Sequence, residues 1–315
     1  MIRIGIDIGG TGIKIGAVDE QYRIITEDSI PTRTDIPFEA QVDRIVDCIL
    51  KMLNPAVNPA LTLDQVISVG AGIPGIADSN GTVINCTNLG WHYVPLRETF
   101  QKRIDKPFFV DNDANVAALA ESVAGKSAGT SSSIFITLGT GVGSGIIING
   151  RIWKGFHGIG GELGHMILKL DGVPCSCGNH GCVESYCSAT ALIRMAREAV
   201  IEHPESKMLE IAGGDPLKIT AKTVFDAKLA GDPTGEELFH RYVSYLSQTI
   251  AGLVNFMDPE IILLGGGVSK SGKLLQDAIH EEYPKYVLFN DQPLPRVEIA
   301  TLGADAGIIG AAMLS

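Results

Sequence analysis

An α/β protein made of two similar halves is the fold this sequence predicts, on three observations. Short β-branched runs bounded by glycine turns alternate with helical segments along the chain. "DIGGTGIKIGAV" (7–18) and "TLGTGVGSGIII" (137–148) are each a strand entering a Gly/Thr turn that returns as a strand, the mark of a duplicated fold. With 315 residues, 45% hydrophobic and 19% charged, the chain is globular and long enough for two domains at the usual ~100–200 residues each.

The elements follow in order. Arg3–Ile8 and Ile13–Val18 read as strands about a glycine turn, with a third strand after a polar turn. "FEAQVDRIVDCILKML" carries apolar residues at helical spacing, and "QVISVGAGIPG" is a buried strand ending in a Gly/Pro turn. "PFFVDNDANVAALAES" reads as strand, sharp polar turn and helix, and "SSSIFITLGTGVGSGIIING" as strand, glycine turn and strand. Long helices are predicted over about 186–203 and 232–257. "EIILLGGGVS" is a last buried strand before a helix, and "GADAGIIGAAML" a closing helix of small residues. No low-complexity linker interrupts the chain, which places a compact hinge near Asn115–Gly129.

A net charge of −11 disfavours nucleic acid and anionic membrane surfaces as partners. No apolar run approaches the ~18 residues of a membrane span. The opening "MIRIGIDIGG" reads as a strand rather than a cleavable signal, so a cytoplasmic location with reduced thiols is expected. Cys48 and Cys86 look like small core residues.

The two glycine turns invite a phosphate reading. The Walker pattern is absent, and neither turn opens a helix as a dinucleotide fingerprint would. They are hairpin turns whose N–H groups can form an anion-binding nest; the bland alternative is tight turns in which glycine supplies a positive φ. On the phosphate reading, Asp7-x-Gly9-Gly10-Thr11 holds one part of a nucleotide and Gly139-Thr140-Gly141 another, with Asp7 holding hydrated Mg²⁺. Lys14 either faces the phosphates or is a solvent-facing strand residue. Gly265-Gly266-Gly267 offers a flat backbone surface for adenine and ribose, or simple close packing.

"VDNDANVAALAE" puts Asp111, Asn112 and Asp113 between a buried strand and a helix. Acidic turns there often cap helices, but a cap needs only one residue, and strands of an α/β sheet point into its crevice. Asp113 is the candidate base that takes a proton from a hydroxyl attacking a phosphoryl group, with Asn112 positioning the acceptor.

"GELGHMILKLDGVPCSCGNHGCVE" (161–184) crowds His165, Cys175, Cys177 and Cys182 into one loop. One His and three Cys at this spacing match a closed, structural zinc set; the alternative is free thiols or a disulfide, although Cys175 and Cys177 are too close to bridge each other in the ordinary way. An imidazole bound through one nitrogen keeps its other N–H directed. Flanked by Glu162 and Glu184, it makes an acceptor–donor–acceptor set suited to a polyhydroxylated sugar; each glutamate by itself would read as a solvated charge.

Taken together, "DIGGTGIKIGAV", "GAGIPGIAD…GTVINCTNLGW", "VDNDANVAALAE", "LGTGVGSGIIINGRIWKGFHGIGGELGH", "CSCGNHGCVE" and "LLGGGVS" resemble the repressor/ORF/kinase (ROK) family of sugar kinases in the actin-like ATPase superfamily. The resemblance implies two actin-like (ribonuclease H-like) α/β domains with a cleft between them. The first would cover 1–117, with the helix of about 303–315 packing back on it, and the second 118–302 with the zinc loop. It implies ATP, Mg²⁺ and structural Zn²⁺, a hexose phosphorylated at its 6-hydroxyl, Asp113 as base, and a homodimer or homotetramer. Sugar contacts would come from Gly75, Asn88, Asn112, Asp113, Glu162, His165 and Glu184. "TNLGW" and the full zinc motif resemble the bacterial glucokinases, while N-acetylmannosamine, N-acetylglucosamine, allose and fructose kinases share most of these residues. Asp111 departs from the glutamate of many members. Sugar-responsive repressors of the family carry a helix-turn-helix domain ahead of the first turn, for which Asp7 leaves no room, so a regulator is not the expectation.

Overall fold

In the computed structural model, which describes residues 1–315, the chain begins with β1 (Ile2–Ile8), β2 (Gly12–Val18), β3 (Ile24–Pro31), α1 (Phe38–Met52) and β4 (Val66–Ile73). Three short strands follow, β5 (Ile76–Ala77), β6 (Val83–Cys86) and β7 (Trp91–Val94), then α2 (Leu96–Gln101), β8 (Phe108–Asn112) and α3 (Asp113–Ala124). Next come β9 (Ser132–Leu138), β10 (Val142–Ile148) and β11 (Arg151–Ile152), and then the helices α4 (Glu184–Cys187), α5 (Ala189–Glu202), α6 (Lys207–Ile211), α7 (Ala221–Leu229) and α8 (Pro233–Met257). The last elements are β12 (Ile261–Gly265), α9 (Gly266–Ser269), α10 (Lys273–Glu282), β13 (Arg296–Ile299) and α11 (Ala306–Ala312).

Two sheets share one strand order. The first runs β3-β2-β1-β4-β8 and the second β11-β10-β9-β12-β13. In the first, β1–β2 and β2–β3 pair antiparallel and β1–β4 and β4–β8 parallel; in the second, β10–β11 is antiparallel and β9–β12 and β12–β13 parallel. This is the duplication that the two Gly/Thr turns signal in sequence. The chain divides into two compact units, one of residues 1–131, 145–161 and 301–315, the other of residues 132–144 and 162–300.

In the first unit, β1 and β4 are buried along nearly their whole length. One covering layer is α1, which buries Val42, Ile45, Val46, Ile49 and Met52 at helical spacing. The other is α11, whose small residues bring backbone onto backbone. A Cβ on Gly5 would lie 1.9 Å from the Ile308 carbonyl oxygen, and one on Gly70 would lie 1.8 Å from that of Ala311. Glycine at 5 and 70 is therefore a packing requirement: any side chain at those strand positions would lift the helix off the sheet. The third strand alternates half-buried and exposed residues, as an edge strand does.

In the second unit, β12 is buried throughout and α8 supplies the largest buried side chains, Phe239 and Tyr242. Asp232 caps α8 by accepting the Gly235 N–H at 2.8 Å, with Pro233 as the first helical residue. The helix predicted over 186–203 is two pieces. Ser188 breaks it, with an extended backbone, and caps α5 by accepting the Ala191 N–H at 3.0 Å. The small sheet β5-β6-β7 was not legible in the sequence, because strands of two to four residues carry too little alternation.

Candidate active site

The end of β1 carries Asp7 opposite Lys14 of β2 in the antiparallel ladder. Burial raises the Asp7 carboxyl above its usual value, and the Lys14 charge partly offsets this. The close fit is set by Gly307: a Cβ there would lie 2.5 Å from the Asp7 carboxylate carbon. In the turn that follows, the Gly9 N–H donates to the Gly12 carbonyl at 2.9 Å, and the Thr32 hydroxyl donates to the Gly9 carbonyl at 2.6 Å. Gly10 and Thr11 form the exposed tip, with the Asn88 side chain beside Gly10.

The corresponding turn after β9 is closed by the Gly139 N–H donating to the Gly141 carbonyl at 3.0 Å, and the Gly139 carbonyl accepts the Ala189 N–H of α5 at 2.8 Å. Thr140 is the exposed tip. None of Gly9, Gly10, Gly139 and Gly141 has a positive φ, so the conformational reason for glycine does not apply here. At Gly141 the reason is close approach, since a Cβ would meet the Glu184 carboxylate oxygen at 2.2 Å. The Gly265–Gly267 run divides in the same way. Gly265 and Gly266 are held against Phe135 and the Leu138 backbone, whereas Gly267 is exposed with open space where a Cβ would stand. Gly266 and Gly267 are both exposed, while Gly265 is buried.

On β8 and α3 the three polar residues take separate tasks. Asn112 is the helix cap, its Oδ1 accepting the N–H groups of Ala114 and Asn115 at 2.9 and 3.4 Å, while its Nδ2 donates to the Gly75 carbonyl at 3.3 Å. Asp111 is buried; its Oδ1 accepts the Asn112 N–H at 2.8 Å and the Asn115 Nδ2 at 3.0 Å, and its Oδ2 pairs with Lys154 Nζ at 2.5 Å. Asp113, the first residue of α3, is exposed, with the Ala114 N–H on its Oδ1 at 2.8 Å. Capping is thus carried by Asn112. Gly75 and Cys86 lie alongside: a Cβ on Gly75 would come within 2.8 Å of Cys86 Cβ, and burial together with the Asp113 charge pushes the Cys86 thiol up to about 11.

The Cys/His loop brings its four candidate ligands together, all their ligand atoms lying within 4.8 Å of one another. Cys175 Sγ is 3.7 Å from His165 Nδ1, and Cys177 Sγ is 3.7 Å from Cys182 Sγ. Tetrahedral zinc at ~2.3 Å from thiolate sulfur separates its ligands by about that distance, so the residues fit the ion. Nδ1 is the nitrogen aimed into the cluster, which leaves Nε2 for an outside partner. Burial acts to raise the Cys175 thiol, but hydrogen bonds from the Cys177 N–H and thiol, His165 and Cys182 bring it down to about 6. Cys182, deeper in the cluster, is pushed up to about 12 by burial and its thiolate neighbours. Cys187 lies apart, fully buried near Thr249, with its thiol also raised to about 12 by burial.

The loop's backbone is built for this. The Cys175 N–H donates to the Asn179 carbonyl at 2.8 Å and the Gly181 N–H to the Val173 carbonyl at 2.9 Å, and Gly181 has φ +78 with no room for a Cβ beside the Lys169 carbonyl. Glu162 is exposed just before the short turn Leu163–His165, and Gly164 packs on the β10 backbone, where a Cβ would lie 2.1 Å from the Val142 carbonyl oxygen. The Glu184 carboxylate is engaged on both sides, accepting the Val142 N–H at 3.0 Å and the Ser176 hydroxyl at 3.4 Å. Gly164, Val142 and Lys154 carry structural parts of the site that sequence reasoning missed. The "GxxGxGG" run (155–161) before Glu162 was the available signal for Lys154's position, but not for its partner.

Comparison with known proteins gives a consistent picture. Residues 3–315 match the model of the ROK family. The glucokinase of Halalkalibacterium halodurans is 37% identical over 313 residues, 99% of this chain and 94% of that protein. The N-acetyl-D-glucosamine kinase of Yersinia pseudotuberculosis is 31% identical over 323 residues, 98% of this chain and 97% of that protein. The crystal structure of a ROK family glucokinase from Streptomyces griseus in complex with glucose and AMPPNP is similar with a TM-score of 0.80, at 34% identity, over 99% of this chain and 98% of that one.

Proposed function

The chain belongs to the ROK family, with its actin-like ATPase fold, and from that membership we propose that it is an ATP-dependent hexokinase that phosphorylates glucose at the 6-hydroxyl. Glucokinase relatives at 36–37% identity along nearly the whole chain support the substrate pair. The observation that carries the chemistry is the exposed Asp113 carboxylate on the first turn of α3, with the helix already capped by Asn112.

In this reading Asp113 takes the proton of the 6-hydroxyl as its oxygen attacks the γ-phosphorus, which needs only a base within hydrogen-bond reach. Gly75, Asn88, Asn112, Glu162, His165 Nε2 and Glu184 are the residues that hold the sugar. Asp7 would hold hydrated Mg²⁺, which neutralises phosphate charge when bound; Gly9, Gly10, Thr11 and Lys14 face one part of the nucleotide, Gly139–Gly141 another, and Gly265–Gly267 the adenosine. Zinc held by His165, Cys175, Cys177 and Cys182 is structural, since all four positions are protein ligands. No helix is long and apolar enough to cross a membrane. Reduced cysteines, three of them zinc ligands in this reading, fit a reducing cytoplasm, and exposed Phe256, Leu288 and Phe289 fit self-association.

The test is a coupled ADP-release assay across glucose, N-acetylglucosamine, N-acetylmannosamine, mannose, allose and fructose. Glucose is expected to give the highest kcat/KM. A preference for N-acetylglucosamine would move the chain to the second kinase class, and no ADP release with any hexose would end the reading.

A further inference from the structure

We propose that Lys154 is a positioning residue for this reaction: through Asp111 it fixes the turn that presents Asp113, and with its own carbonyl it closes the neck of the loop that follows. The role rests on the hexokinase reading above.

Lys154 follows the β10–β11 hairpin, which turns at Asn149 and Gly150 with φ of 51 and 71. Trp153 holds the hairpin's end by donating its N–H to the Ile146 carbonyl at 2.8 Å. The Lys154 carbonyl then accepts the Gly160 N–H at 2.7 Å, so residues 155–159 make a short excursion that returns to its starting point. The neck is tight, since a Cβ on Gly160 would lie 2.9 Å from the Lys154 carbonyl oxygen. The excursion itself is exposed at Phe156 and Ile159.

From that post the side chain reaches Asp111 Oδ2 at 2.5 Å, where the Asp111 side chain is only 6% accessible. A carboxylate at that depth needs a cation or hydrogen-bond donors for its charge. Its other oxygen is the one that holds the Asn112 N–H and the Asn115 side chain. Asn112 in turn caps α3 and bonds the Gly75 carbonyl. Without Lys154, Asp111 Oδ2 loses its cation and the carboxylate turns toward water, which loosens the Oδ1 hold on the backbone immediately before Asp113. Arg151 lines the same cavity as the pair without bonding to Asp111, so it offers a charge control.

The experiment measures kcat and KM for glucose and ATP in wild type, K154M, K154R, D111N, D111N/K154M and R151M, with thermal midpoints alongside. K154M is expected to lower kcat about tenfold or more while glucose KM stays within about threefold, the pattern of a displaced but intact base. K154R should recover most of the rate and R151M should be near wild type. The double variant should be no slower than the slower single one, because both changes remove the same contact. It also leaves no buried unpaired charge, so it remains readable should K154M fail to fold. Wild-type kcat in K154M or in the double variant, or losses that multiply in the double variant, would overturn the positioning role. A wild type that phosphorylates no hexose would overturn the functional reading, and this role with it.

Discussion

The carboxylate of Glu184 accepts the backbone N–H of Val142 at 3.0 Å, joining the residue just past the last cysteine of the Cys/His loop to the strand leaving the second glycine turn. The same oxygen occupies the space that a Cβ on Gly141 would need. The Cys/His loop, Glu184 and the second glycine turn are therefore mechanically one piece within this unit. Ordering the loop orders Glu184, and Glu184 braces the turn.

That relationship predicts the outcome of Gly141→Ala. The added methyl would stand 2.2 Å from Glu184 Oε2, so the carboxylate must leave its bond to Val142. KM for ATP and for glucose should rise together, by about tenfold or more, since one displaced group serves both. A rise in the ATP constant alone would mean that Glu184 does not face the sugar.

Asp113→Asn should remove about 10²–10⁴-fold from kcat while glucose binding largely survives, because the amide keeps the shape and loses the base. Single-turnover rates and isothermal titration with glucose separate the two effects. Near-normal turnover would refute the assignment.

One zinc per chain is expected by metal analysis. Cys177→Ser should lose the metal and weaken glucose binding, whereas Cys187→Ala should keep it, since Cys187 lies outside the cluster. Apparent zinc affinities of ~10–16 kcal/mol are ample to order a loop of this composition. Full activity in zinc-free protein would sink the idea.

Gly70→Ala should destabilise the protein by about 3 kcal/mol or more, at the upper end for overpacking, because the obstacle is the Ala311 carbonyl of a buried helix rather than a yielding side chain. Urea unfolding reads this directly. A change under about 1 kcal/mol would show that α11 shifts freely on the sheet.

What the sequence revealed followed its local signals. The strands about the two Gly/Thr turns, the helix after Phe38 and the strand–turn–helix at Asp111–Asp113 all sit where alternation, helical spacing and turn chemistry put them. The gathering of His165 with three cysteines was legible because loop spacing alone limits where those atoms can go. The reasons for the glycines were not legible. Gly5, Gly70, Gly141 and Gly164 are required by atoms distant in sequence, and no local pattern reports the oxygen of another element that an added Cβ would meet. Lys154's partner stayed hidden for the same reason, because an ion pair 43 residues apart (154 − 111) leaves no periodic trace.

Asp7 yields the last prediction, in which stability and function oppose each other. Burial raises its carboxyl above the ordinary 3.8, with Lys14 only partly offsetting this. Between 3.8 and that raised value the folded protein holds a proton that the unfolded chain has already lost, so stability falls as pH rises through the window. Above the window the ionised group is a standing cost to the folded protein, unless a cation such as hydrated Mg²⁺ takes up its charge. Asp7→Asn should therefore be more stable than wild type at neutral pH, with the advantage disappearing below about pH 4, where the wild-type carboxyl is protonated in both states. The same variant should lose most ATP-dependent turnover, and wild-type Mg²⁺–ATP binding should weaken on acidification through the window. Urea titrations at the two pH values and magnesium titrations of ATP binding test both halves. An Asn variant no more stable than wild type at neutral pH would show that the Asp7 charge is already compensated within the protein, and unchanged magnesium dependence would remove Asp7 from the metal site.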